Sequence, residues 1–219
     1  MIQTGRQTDY GMMLFQTTVL SPWTRQFFGN GARERILNHF EKLAEVATLP
    51  GPKFVLAHII SPHPPYLFGA DGRRVPASPL SLKGQIWLDR EKYRDQLIFI
   101  NQKVKTAVAA ILTAAETPPV IILQGDHGTA STIYEPGGGG WTRPTPAKLR
   151  ERFRILNAIH LPADDRKYLY DTLSPVNIFR LIFNRYFGAD YPLLEERSFY
   201  STYQLPYQFT DVTEQTAFE

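Results

Sequence analysis

Asp126 and His127 stand side by side in the stretch PPVIILQGDHGTAS, residues 118 to 131, just after four consecutive apolar residues and with a glycine on each flank. A carboxylate oxygen next to a neutral imidazole nitrogen is a donor pair suited to zinc, manganese or a similar divalent cation. Glycines at 125 and 128 let the backbone turn sharply and let a ligand approach without a Cβ in the way. The competing account is structural: an aspartate capping a following helix, beside a solvated histidine. Two further imidazoles belong to a second apolar run, FVLAHIISPHPPYLF, with His58 inside it and His63 just beyond, between Pro62 and Pro64. Flanking prolines restrict the backbone and pre-position His63 as an anion-binding group. His58, within the run, reads first as a hydrogen-bonded core residue and only second as a site residue.

The elements that must position these groups follow from periodicity. Apolar residues at 36, 37, 40, 43, 44 and 47 with charges between them predict a surface helix over 33–47. Pro50-Gly51-Pro52 ends it, and the apolar run at 53–60 predicts a strand covered on both faces. A second helix is predicted from about 89 to 115, with Leu97, Ile100, Val104, Val108, Ile111 and Leu112 at spacings of three and four. VIIL then predicts a second buried strand, RILNAIHL a third, and Ser174-Pro175-Val176-Asn177 the start of a helix running through Phe187. The alternation of helix and strand predicts an α/β fold, a three-layer, mostly parallel sheet with helices on both faces, formed by the whole chain, 1–219, as one domain. Ligands of such sheets gather beyond the carboxyl ends of the strands, so Asp126, His127 and His63 are expected at one edge. There they would face the anionic oxygens of a phosphate or sulfate ester, whose developing charge a cation neutralises. Residues 127–147 are expected to form a long loop within that domain.

Composition removes several classes. The 219 residues carry a formal net charge of +3, with acids and bases interleaved and no dense basic block, which argues against a nucleic-acid partner. There is no cysteine, hence no disulfide, thiolate ligand or thiol nucleophile. No stretch approaches the ~18–20 consecutive apolar residues of a membrane span, and the first residues do not begin a signal peptide. Gly137 to Gly140 lack the Lys-Ser/Thr of a phosphate-binding loop and read as a loop tip, with Trp141 and Arg143 beside it as solvated residues. His39 reads as a surface residue and His160 as a core or edge one. The 14 Phe and 11 Tyr are explained by packing.

The pair FVLAHIISPHPPYLF and VIILQGDHG, separated by a helix containing YRDQLIFINQKV, resembles the C-terminal half of a sulfatase-like domain of the alkaline phosphatase superfamily. It is similar in particular to the domains of bacterial membrane-attached lipoteichoic acid synthases and phosphoethanolamine transferases, and SPVNIFRLIFNRYFG resembles a hallmark of a sulfatase-domain branch. The resemblance covers roughly residues 30 to 205. It implies that Asp126 and His127 bind a divalent metal (Mn, Zn, Ca or Mg), that His63 contacts the substrate's anionic group, and that the domain is a metal-dependent hydrolase or transferase acting on sulfate or phosphate esters. Full-length relatives of that kind present the domain on the extracytoplasmic face of the membrane, so a membrane enters only through a missing N-terminal segment. Their nucleophile, a Thr, Ser or formylglycine, lies after an earlier strand. The nearest candidate here, Ser21-Pro22-Trp23-Thr24-Arg25, puts proline next to serine rather than two residues on. The catalytic nucleophile is therefore unassigned and the chain is expected to be partial at its N-terminus. The alternative is a non-catalytic or degenerate anion-binding or interaction domain.

Overall fold

A computed structural model describes residues 21–76, 89–133, 140–202 and 204–217, with the side chains of 21–30 and 163 left aside. The chain divides into two compact units, 1–116 and 117–219.

The first unit is built on two helices, α1 (Ser21–Ala47) and α2 (Arg90–Ala114). Asp89 caps α2 by accepting a hydrogen bond from the Lys92 amide at 3.2 Å. The facing sides of the helices enclose Phe40, Phe99, Ile100 and Ala107, together with Leu67 and Phe68 from the turn between the helices. The Phe68 and Phe99 rings stack at 4.8 Å between centroids, and the Arg33 guanidinium covers Phe68 at 5.1 Å while donating to the Gly72 carbonyl at 2.9 Å. Gly72 has φ +83°, and a Cβ there would lie 2.3 Å from the Phe99 ring, so only glycine allows this turn to sit on the aromatic pair. By length and composition α2 alone among the described helices could cross a bilayer.

The predicted face of α2 is rotated in the structure. Gln96, Phe99, Ile100 and Ala107 are buried, whereas Leu112 is 40% exposed. The cause is Gln96, which is 1% exposed. Its Oε1 accepts from the Leu67 and Phe68 amides at 2.6 and 3.3 Å, and its Nε2 donates to the Pro62 and His63 carbonyls at 3.2 and 3.4 Å. One amide side chain thus serves four backbone groups of the Pro-rich turn, whose Ser61–Pro62 and Pro64–Pro65 peptides are cis.

The second unit holds two short antiparallel pairs. β1 (Ile121–Gln124) pairs with β2 (Asn157–His160), Ile122 opposite Ile159, and β3 (Phe199–Tyr200) pairs with β4 (Thr210–Asp211). Between β1 and β2 lies α3 (Pro146–Phe153), capped by Thr145 with proline in its first turn. A 3₁₀ turn (Ala163–Tyr168), α4 (Pro175–Tyr186) and a one-turn α5 (Thr213–Thr216) complete the unit. Leu161, Leu173, Ile178, Leu181 and Ile182 form its core, with Ile122, Ile159 and Leu169 packed against it. Asn177, fully buried, exchanges hydrogen bonds with the Leu194 backbone at 2.9 and 2.8 Å and donates to Glu196 at 2.8 Å, tying the following segment to α4.

This architecture corrects the expected fold class. The described residues contain no large parallel sheet; their strand pairs are two-stranded and antiparallel. The VIIL run supplies Ile121 to Leu123 of a strand that is half-buried rather than buried, and RILNAIHL contains its partner, but the two run in opposite directions, because their connection folds back through α3 rather than crossing over to restart at the same end. The predicted buried strand at 53–60 has no regular secondary structure and joins no sheet among the described residues, and Phe54 and Leu56 are 83% and 82% exposed. The helices over 33–47, 89–115 and from Ser174 appear within α1, α2 and α4. Ser174 starts α4 without using its hydroxyl as a cap. The Met1–Leu20 segment and Gly137 to Gly139 lie outside the described residues.

Gln96→Leu removes the acceptor of two amides in a buried turn and is expected to destabilise the protein by about 2–4 kcal/mol, read as a lower urea midpoint with the slope unchanged. An unaltered midpoint would mean that the turn does not depend on Gln96.

Candidate functional site

The Asp126–His127 pair occupies the corner just after β1. Gly125 N–H still reaches the Leu156 carbonyl at 2.9 Å, extending the ladder by one bond, and the chain then bends away. Asp126 projects outward, its side chain 82% exposed, while that of His127 is 32% exposed. The Asp126 Oδ1 accepts from the His127 amide at 3.0 Å, and Oδ2 lies 3.5 Å from His127 Nε2. Both side chains are therefore held facing each other by a local turn.

The turn is anchored on the end of α3. Gly128 N–H donates to the Arg152 carbonyl at 2.7 Å, and a Cβ on Gly128 would meet the Glu151 carbonyl oxygen at 2.0 Å. Glycine is required here for close approach between two backbones. Beyond it, the Glu151 carboxylate gathers three of the next four residues. It accepts from the Thr129 and Thr132 hydroxyls, from the Ser131 amide and hydroxyl, both at 2.7 Å, and from the Thr132 amide at 3.1 Å. Burial alone would raise the Glu151 pKa, but these donors outweigh it and draw the group from an ordinary 4.5 down to about 2. Glu151 is thus ionised throughout the neutral range.

Arg152 closes the other side. Its Nη1 donates to the Gly128 carbonyl at 2.7 Å and sits 2.6 Å from His127 Nδ1, which is itself 2.9 Å from the same carbonyl. The guanidinium also lies over the Trp141 ring at 5.7 Å, and Trp141 stacks on Tyr200 at 6.2 Å. The 2.6 Å contact sets the tautomer of His127, because an arginine nitrogen can only donate and Nδ1 must accept from it. With the proton on Nδ1 the ring would donate to the Gly128 carbonyl and Nε2 would turn a lone pair toward the side of Asp126, but two N–H donors would then stand 2.6 Å apart, so this tautomer requires Arg152 to move aside. With the proton on Nε2, Arg152 donates to Nδ1, and Nε2–H faces the carboxylate. The first tautomer makes a metal ligand, the second an acid–base pair.

The other candidates have their own surroundings. His63 belongs to the Pro-rich turn of the first unit, exposed, with Nδ1 2.6 Å from the Pro64 carbonyl. The argument that brought His63 to the edge occupied by Asp126 and His127 rested on a parallel sheet, and it falls with that sheet. His58 is exposed in the irregular segment before the Pro-rich turn, not buried in a core. His160 Nδ1 meets the Pro119 carbonyl at 3.0 Å, a structural contact that closes the start of β1. Arg143 is exposed. Among the described residues no group of three or more His, Cys, Asp or Glu is arranged to hold a metal ion.

Sequence reasoning missed Glu151 and Arg152. Their signal was faint: LRERF reads as an ordinary charged helix end, and only the turn of β1 against α3 gives those charges a role.

Gly128→Ala forces two backbones apart and is expected to lower the melting temperature sharply, whereas Gly140→Ala, where a Cβ would meet nothing within 4 Å, is expected to cost only what its positive φ imposes. Glu151→Gln tests the carboxylate by pH. Because the folded pKa is depressed, the stabilisation is present above about pH 4.5 and is lost as pH falls toward about 2. The gap in melting temperature between wild type and E151Q is therefore expected to be full at neutral pH and to close across that window; a gap independent of pH would assign the effect to shape rather than charge.

Comparison of the chain with models of protein families, with curated proteins and with solved structures gave no match.

Proposed function

We propose that the Asp126–His127 corner is the metal-binding part of a site acting on phosphate or sulfate esters, a hydrolase or transferase of sulfatase type. The observation that carries this reading is the 3.5 Å between Asp126 Oδ2 and His127 Nε2. Two donors bonded to one tetrahedral zinc at about 2.0–2.2 Å stand about 3.4 Å apart, so the pair fits a single small cation with little movement. A histidine that ligates through Nε2 commonly donates its other N–H to a carbonyl, and Gly128 O is 2.9 Å from Nδ1, so ligation requires Arg152 Nη1 to give up its 2.6 Å contact with that nitrogen. The residues fit as a two-donor grip and not as a closed cage, since the described part of the chain adds no third carboxylate or imidazole.

A cation held there would neutralise charge on the oxygens of an ester. The protein's own contribution is orientation: Glu151 and Gly128 hold the turn, Asp126 and His127 face each other across it, and Arg152 adds a permanent positive charge beside the imidazole. No bond-breaking step is assigned, because the described residues identify no nucleophile.

A second reading, a binding or interaction domain that holds an anionic ligand without turning it over, is favoured by the two-donor set itself. Calorimetric titration with zinc and manganese separates the alternatives when joined to turnover of chromogenic phosphate and sulfate esters. Wild type is expected to bind one cation, with affinity at least about tenfold weaker in Asp126→Asn and His127→Ala, the lower end of what loss of an orienting partner costs. Binding with turnover supports the enzyme, binding without turnover supports the interaction domain, and identical titrations for wild type and both variants would remove the metal site altogether.

A further inference from the structure

A row of polar contacts runs through the corner after β1. Arg152 Nη1 lies 2.6 Å from His127 Nδ1 and 2.7 Å from the Gly128 carbonyl, and since a guanidinium nitrogen has hydrogens to give and no lone pair to offer, the arginine donates in both. An imidazole that accepts at Nδ1 carries its one proton on Nε2, the nitrogen 3.5 Å from Asp126 Oδ2. In this tautomer the ring offers no lone pair on the side of the carboxylate. The guanidinium is also seated over the Trp141 ring at 5.7 Å, and Trp141 stacks on Tyr200 at 6.2 Å, so the arginine rests on a pair of stacked aromatic rings.

We propose that Arg152 is a latch on the metal site: its bond to Nδ1 keeps His127 in the tautomer that does not ligate, and a cation binds only as that bond is given up. The latch rests on the metal-binding reading of this corner. Opening it needs little movement. Nδ1 already stands 2.9 Å from the Gly128 carbonyl, and a carbonyl oxygen has two lone pairs, so once the guanidinium slides off the ring nitrogen, a proton on Nδ1 has its acceptor in place. One proton leaves Nε2 and one is taken up at Nδ1, so the imidazole stays neutral. Nε2 then turns its lone pair toward Asp126 Oδ2 and the two donors face one cation. In this role Arg152 touches neither the cation nor an ester oxygen; it is a positioning residue that acts through His127. The corner therefore binds a cation more weakly than its donors alone would, by the strength of one charge-assisted hydrogen bond.

The experiment compares the full chain with Arg152→Met, which keeps an apolar stem and removes every donor, and with Arg150→Met, which removes the same charge two residues earlier in α3. Long-range proton–nitrogen NMR spectra, taken after chelation at about pH 8, where an ordinary imidazole is neutral, read the tautomers of the five histidines, and His127→Ala identifies the signal of His127. Wild type and Arg150→Met are expected to carry the His127 proton on Nε2, and Arg152→Met on Nδ1. Calorimetric titration is expected to show zinc bound at least about tenfold more tightly by Arg152→Met than by wild type, the scale of one hydrogen bond from a charged donor, with Arg150→Met close to wild type. The latch alone is overturned, and the metal reading left standing, if wild type binds zinc but carries the proton on Nδ1, or if Arg152→Met changes neither tautomer nor affinity, or if Arg150→Met tightens binding as much. Absence of zinc binding by all three proteins overturns the metal reading and the latch with it. If Arg152→Met folds poorly, the wild-type spectrum decides: a His127 proton that moves from Nε2 to Nδ1 as zinc is added supports the latch, and one found on Nδ1 before zinc overturns it.

Discussion

The carboxylate of Glu151 is the acceptor on which the second unit's candidate site depends. Two backbone amides and three hydroxyls from residues 129–132 converge on its two oxygens. A chain leaving a strand has amides with no ladder partner, and a single ionised side chain can satisfy several at once more strongly than neutral acceptors can. Because α3 ends at the same place, the Glu151 and Arg152 backbones also touch Gly128, so the helix end and the strand end are one joint. Asp126 and His127 ride on that joint. Their mutual orientation is a consequence of local backbone geometry, set before any ligand is present.

The first unit solves the same problem with a neutral group. Gln96 reaches from α2 into the Pro-rich turn and supplies both an acceptor for Leu67 and Phe68 and donors for Pro62 and His63. An amide side chain can do both because it carries a carbonyl oxygen and two N–H groups. The turn then delivers Leu67 and Phe68 into the core between α1 and α2, which is why this stretch is among the most buried in the chain although it is flanked by exposed residues. The contrast with residues 54–60 follows from the same bookkeeping. They have the apolar side chains of a core strand, but the described residues provide no adjacent strand to take their amides, so they remain exposed.

The helices were legible because a helix closes its hydrogen bonds within itself. Periodicity and Ser174-Pro175 marked α2 and α4 closely, while for α1 periodicity and Pro50-Gly51-Pro52 marked only the C-terminal part and its end, the helix beginning twelve residues before the predicted start. The strands were legible only as extended apolar runs: residues 121–124 and 157–160 are strands, but the direction of their pairing is a property of the connection and not of either run. The parallel sheet was inferred from the order of elements, and it failed where α3, an eight-residue helix, brought the chain back antiparallel. The face of α2 was misplaced by a different effect, since a polar residue at position 96 outcompeted apolar neighbours for the interior by meeting the needs of buried backbone.

The sequence by itself determined the donor pair, Asp126 next to His127, and the glycines that let a turn carry them, because these are properties of residue type and adjacency. It also determined the almost wholly apolar character of residues 54–60, interrupted only by His58, and the absence of any thiol chemistry. Tertiary structure alone decided what stands around the pair. Glu151 and Arg152 lie some 25 residues away in the chain and reach the turn only because β1 pairs with β2 and folds α3 back between them. It alone decided, too, that His63 belongs to a different unit, fastened by Gln96, than the pair with which sequence logic had joined it. Proximity of residues distant in the chain depends on which backbone groups find partners, and no single stretch of sequence contains that information.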